Sequence, residues 1–245
     1  VPLIQTGYRY HFRKGIHGIG LRSMGSVAIW SLSIVLINQL VGILTTRVTN
    51  GAPIQGHDLY GIAGNASYQN AFTLYMLPYS LIAVSIATAI FPRLSLFVAE
   101  KRIADAKDTL SQSLRRSGII MLFFTAVFVA IPVPIIKALL PSVPLSEINL
   151  ICPLLITLGC NLWAVSTFLF LQRTFYAFEN GKYPFIFVVV QNIIQVVIVA
   201  LVRFMAPPQY WTWGVSLSVT ISYTVSIPLL FILCQKKLFH GSIDT

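Results

Sequence analysis

A chain of 245 residues that is 56% hydrophobic and only 10% charged has too few ionic groups to wet a soluble domain, where about a quarter of residues are charged. Its mean hydropathy of +0.78 fits a chain solvated by lipid, and the composition points to an integral membrane protein. The net charge of +10 falls between hydrophobic stretches, which directs it to a lipid headgroup surface and away from nucleic acid.

The opening stretch, 1–23, is basic and turn-rich and lacks the short apolar core of a secretory leader. It reads as a cytoplasmic basic linker cut from a longer chain. Six mainly apolar stretches follow, at about 24–46, 69–92, 118–140, 149–172, 184–206 and 210–234. Each reaches the roughly 20 residues a helix needs to cross the hydrocarbon core. The predicted fold is therefore all-α and polytopic, with a six-helix transmembrane lobe over 24–234 and a cytoplasmic tail, or linker to further helices, over 235–245.

Basic residues set the orientation. Fourteen Lys and Arg, from Arg9 through Arg93, Lys101, Arg102, Arg115, Arg116 and Arg173 to Lys237, fall on one side of the six stretches. Only Arg47, Lys137 and Arg203 fall on the other. The side richer in Lys and Arg is cytoplasmic, so the reading is a multi-pass membrane protein with both ends of this segment inside. Tyr210, Trp211 and Trp213 form an aromatic belt at the outer start of the last stretch. Between the second and third stretches, Phe97, Ile103, Leu110 and Leu114 recur near helical spacing among charges. That pattern predicts an amphipathic interfacial helix over 96–116, whose basic contacts would be Arg93, Lys101, Arg102, Arg115 and Arg116.

The cores of the six stretches contain no Asp, Glu, Lys or Arg, which excludes a carboxylate proton relay within this segment. They do hold amides: Asn38 and Gln39, Gln69 and Asn70, Asn161, and the cluster Gln191, Asn192 and Gln195. Gln191 and Gln195 lie one turn apart on one face. Such amides bond a neighbouring helix or line a hydrated cavity, and the cluster at 191–195 exceeds what one helix contact needs. In the last stretch, Gly214, Ser218, Ser222 and Ser226 recur every four residues, which favours close helix packing. Prolines interrupt several stretches, with Pro78 and Pro134 the candidates for helix bending. No catalytic residues are predicted: the four histidines fall in loops or tails, and no nucleophile, nucleotide-binding or metal-ligand pattern occurs. Cys152, Cys160 and Cys234 have no disulfide or metal spacing. The reading calls for no cofactor and no metal.

The segment LPYSLIAVSIATAIFPRLS, 77–95, resembles the eighth membrane helix and following loop of the MurJ/MviN family of lipid II flippases, within the multidrug/oligosaccharidyl-lipid/polysaccharide exporter superfamily. RTFYAFENGKYPF, 173–185, is similar to that family's link between the tenth and eleventh helices. The resemblance implies a C-terminal lobe, helices seven to twelve, of a protein that moves the undecaprenyl-diphosphate-linked muropeptide from inner to outer leaflet by alternating access. It implies as partners lipid II or a similar undecaprenyl-diphosphate glycolipid, bilayer lipid, and an N-terminal six-helix lobe of the same chain. The chain departs from the family at Thr73 and Met76, where many members carry Arg and Glu, and at a sodium site, where it offers only Asn38, Gln191, Gln195 and Thr220. The substrate cavity is accordingly assigned to Asn38, Gln39, Thr73, Gln191, Asn192 and Gln195. Two other functions stay open: export of another polyprenyl-glycan or a drug, and a non-transporting membrane scaffold for cell-wall enzymes.

Overall fold

The computed structural model describes residues 21–236. The basic stretch with Arg9, Arg13 and Lys14, the histidines His11, His17 and His240, and the tail from Lys237 lie outside the described residues.

All described elements are helical: α1 Leu21–Gln55, α2 Asn65–Pro78, a π-helical turn Tyr79–Ala83, α3 Val84–Ala99, α4 Ile103–Ala130, α5 Pro132–Leu139, α6 Leu145–Gly159, α7 Leu162–Ala177, α8 Lys182–Met205, a short 3-10 turn Pro208–Tyr210, and α9 Trp211–Cys234. Five apolar helical runs, with α2 to α3 counted as one over Asn65–Ala99, are long enough to cross a membrane. The pair α6 and α7, bent by 43°, makes a sixth span when counted as one. The chain is a polytopic all-α membrane protein.

The helices run further than the sequence boundaries in some places and break in others. Across the stretch 118–140 the helix stops at Ala130 and restarts at Pro132. Proline disfavours the α conformation in the residue before it, and Ile131 sits at φ −135°, ψ 52°. Pro134, expected to bend this helix, is instead the third residue of α5, and the break lies at Ile131. Pro78 is different, because its helix continues through it. Having no N–H, it leaves a carbonyl one turn earlier without its usual partner, and the wider π-helical turn follows directly. The stretch 96–116 is not one interfacial helix. It divides between the end of α3 and the start of α4, around the turn Glu100–Arg102.

Three helices end on a left-handed residue that is not glycine: His57, Lys101 and Glu179, with φ of 54°, 58° and 55°. At each, paired backbone bonds close the end, as in Arg102 N to Phe97 O (2.8 Å) with Lys101 N to Val98 O (3.1 Å), and Asn180 N to Phe175 O (2.9 Å) with Glu179 N to Tyr176 O (3.0 Å). A side chain in this conformation costs about 1 kcal/mol that glycine does not incur. Glu179 is exposed, so Glu179→Gly is expected to raise stability by about 1 kcal/mol. Thermal unfolding in detergent checks this, and an unchanged or lower midpoint contradicts it.

Apart from the consecutive pair α8 and α9, packing is largely between helices that are not neighbours in sequence. The broadest contact joins α8 and α9, and others pair α4 with α7, α2 with α6, and α1 with α8. The last helix also touches α1, α6 and α7 and so runs through the middle of the lobe. Its Gly214, Ser218, Ser222 and Ser226 are all buried, which accounts for the small residues at that spacing. Most of α7 is buried on all sides, including Phe170, Leu171 and Phe175. Trp211, expected in the aromatic belt, is buried as well. Its indole N–H donates to Ala206 O (3.0 Å), and Arg203 lies 4.6 Å from its ring centre.

The two ends of the lobe differ. At one, Leu94, Phe97 and Ala106 pack with Val98 and Ala177, and Ser31 of α1 donates to Tyr176 of α7 (3.2 Å). At the other, Thr212 donates to Ala63 O, which ties α9 to the α1–α2 connection. The first end carries Arg93, Lys101, Arg102, Arg173 and Lys182.

Candidate functional site

Four helices, α1, α2, α8 and α9, enclose an open-sided cleft of about 270 Å³. From α1 come Asn38, Val41, Gly42, Thr45 and Thr46, spaced as one face of a helix. Opposite them stand Tyr68, Gln69 and Phe72 of α2, Gln191, Asn192 and Gln195 of α8, and Val219 and Tyr223 of α9. No charged side chain among the described residues lines it.

The amides form a connected network. Asn192 Nδ2 donates to Asn38 Oδ1 (2.9 Å), joining α8 to α1, and to Val188 O (2.9 Å). Gln191 Nε2 donates to Gln195 Oε1 (3.0 Å) and to Ser222 Oγ of α9 (3.0 Å). Ser222 in turn donates to Val219 O (3.0 Å). These bonds use both protons of Asn192 and of Gln191. The Asn38 and Gln195 amide N–H groups, and the carbonyl oxygens Gln191 Oε1 and Asn192 Oδ1, are left without a protein partner among the described residues. The cleft therefore presents both donors and acceptors, all neutral, at mid-helix depth. In hydrocarbon such groups need a polar partner, so the cleft suits a neutral polar or hydroxylated guest.

Of the six residues assigned to the cavity, the structure brings four together: Asn38, Gln191, Asn192 and Gln195. Gln39 and Thr73 are exposed and lie outside the lining. Gln39 follows Asn38 by about 100° around the helix, which turns it off the cleft face. Sequence reasoning missed Thr45, Thr46, Tyr68 and Tyr223 as lining residues. The 38, 41, 42, 45, 46 spacing was the available signal.

The basic residues do not form a single patch. Arg93 and Arg102 flank the ring of Phe97, with guanidinium carbons 5.4 Å and 4.8 Å from its centre. Arg102 also bonds Asp105 (2.7 Å) and Glu100 (3.3 Å), and these carboxylates, Asp105 foremost, hold its guanidinium above its ordinary range. Arg115 and Arg116 are exposed further along α4, roughly 18 Å from its first residue at 1.5 Å per residue. Arg173 of α7 lies 5.7 Å from the ring centre of Phe91.

A helical membrane lobe with an open polar cleft between its helices has the build of a membrane transport protein. The comparisons with known proteins agree. The family model described as lipid II flippase MurJ matches residues 1–243, and the chain belongs to that family. A solved structure of lipid II flippase MurJ in an inward closed conformation shares the fold, with a TM-score of 0.68 at 16% identity, covering 96% of this chain and 47% of that one. This chain thus spans about half the length of that structure. No curated protein matches it in sequence.

Proposed function

We propose that the chain is the second six-helix lobe of a lipid II flippase, carrying the undecaprenyl-diphosphate-linked muropeptide from the inner to the outer leaflet. Family membership over residues 1–243 supports this reading, and the observation that carries it is the uncharged amide cleft open on one side. A flippase must shelter a polar headgroup while its prenyl tail stays in lipid, which calls for a polar cleft between helices that opens sideways. A first lobe of the same polypeptide closes the open side and supplies the charge that meets the diphosphate. The end bearing Arg93, Lys101, Arg102 and Arg173 faces the cytoplasm, because short cytoplasmic loops are enriched in Lys and Arg. The task is transport, and no bond of the substrate is made or broken by this lobe.

The test is reconstitution. The protein as encoded in its native genome is placed in liposomes with fluorescent lipid II, and headgroup access is followed with a membrane-impermeant reagent. Accelerated exchange of lipid II, with no acceleration for a prenyl-linked glycan of different headgroup, is the expected result. Acceleration only for the other glycan favours a different exporter, and none for either favours the scaffold.

A further inference from the structure

The end of the lobe away from the basic turn holds a second recess, of about 390 Å³, between the α1–α2 connection, the first turn of α2 and the start of α6. That volume lies within the roughly 300–1,000 Å³ of small-ligand sites. Asn50, Tyr60, Asn65, Ser67, Ser146 and Glu147 are its polar or aromatic walls.

Several of these groups have no partner. The side chains of Asn50, Ser67, Ser146 and Glu147 make no hydrogen bond to any described residue. Ser67 is only 5% exposed, and its hydroxyl too has no partner among the described residues. Asn65 Oδ1 accepts from Thr49 Oγ1 (3.1 Å), which leaves the Asn65 amide N–H groups unbonded. Tyr60, 90% exposed, presents an amphipathic ring at the rim. Among the described residues no Lys or Arg lines the recess, and the one ionic group there is the Glu147 carboxylate. That chemistry disfavours a phosphate and suits a ligand rich in hydroxyls and acetamido groups, which both donate and accept and present C–H faces to a ring.

The recess adjoins the cleft. Ser67 lines the recess while the next residues, Tyr68 and Gln69, line the cleft. On α1, Thr45 and Thr46 belong to the cleft and Asn50 to the recess, with Thr49 bonded to Asn65 between them. A line of hydroxyls and amides thus runs from mid-helix to the outer end.

We propose that this recess is a saccharide-binding site that receives the N-acetylated disaccharide of the headgroup as it leaves the cleft on the outer side. Its identity as an exit site rests on the flippase reading; its affinity for a sugar does not. The experiment uses the intact protein in detergent and an N-acetylated disaccharide that carries a photoreactive diazirine and neither phosphate nor lipid. Crosslinks are expected in peptides covering 59–67 and 144–150. They should be competed by unmodified disaccharide and not by inorganic pyrophosphate. Combining Tyr60→Ala with Glu147→Gln should weaken binding about 10-fold, as the loss of two contacts predicts. Crosslinks confined to 38–46 and 191–195, competition by pyrophosphate, or no labelling each overturn the proposal, and none depends on a variant that folds. Lipid II exchange by the same protein reconstituted in liposomes separates the two readings: exchange without labelling removes only the recess, and labelling without exchange removes only the flippase.

Discussion

Replacing Asn38, Gln191 and Gln195 together with leucine should lower lipid II transport by about 10- to 2,000-fold, since three side chains lose hydrogen bonds of about 0.5–1.5 kcal/mol each to the guest. The fold should survive. Gln191 and Gln195 bond each other, so removing both strands neither, and Ser222 loses Gln191 but still donates to Val219 O. Asn192 loses Asn38 but keeps Val188 O. Gln39→Leu and Thr73→Val serve as controls, because both positions lie outside the cleft and should leave the rate unchanged. Equal transport by the triple variant would falsify the cleft assignment.

Gly214→Ala should destabilise the lobe by about 1–3 kcal/mol, the usual cost of overpacking. A methyl at Gly214 would meet the side chain of Val202 on α8, lying 2.8 Å from Cγ2 and closer still to Cγ1. Val202 is β-branched and held to few rotamers, so it has little room to yield. The remedy is specific: adding Val202→Ala should recover most of the loss. Unfolding midpoints of the two single variants and the double variant in detergent give the coupling, and strictly additive losses would show that the contact does not limit the approach of α8 and α9.

Much of the lobe was legible because lipid makes sequence blunt. Start and end of α8 and α9 follow from apolar length and from Pro207 and Pro208 between them, with proline unable to continue a helix. The turn at Glu100–Arg102 was not legible. It is built on Lys101 in a left-handed conformation, where the usual glycine signal is missing. The break at Ile131 comes from Pro132, which acts on the residue before it, while Pro134, the expected site of bending, sits inside the new helix.

The cleft shows the same division. Amides are costly in hydrocarbon, so Asn38, Gln191, Asn192 and Gln195 were visible from their mere presence. Hydroxyls hide more easily. Thr45 donates to Val41 O of its own helix (2.9 Å), a bond that satisfies it without a cavity, so threonine in a span carries little signal. Thr73 was expected in the cleft from its place in the family's eighth helix and not from the face it occupies, and the structure leaves it outside the lining. Facing direction, read from spacing, was the better guide.

The central claim is transport of lipid II, and depletion in the native bacterium tests it most directly. The protein is depleted, and lipid II at the outer leaflet is measured with an impermeant probe alongside the total precursor pool. The account predicts that outer exposure collapses while precursor accumulates inside, with rescue by the wild-type gene and not by the triple leucine variant. Unchanged exposure after depletion, in a cell with no second lipid II flippase, would contradict it.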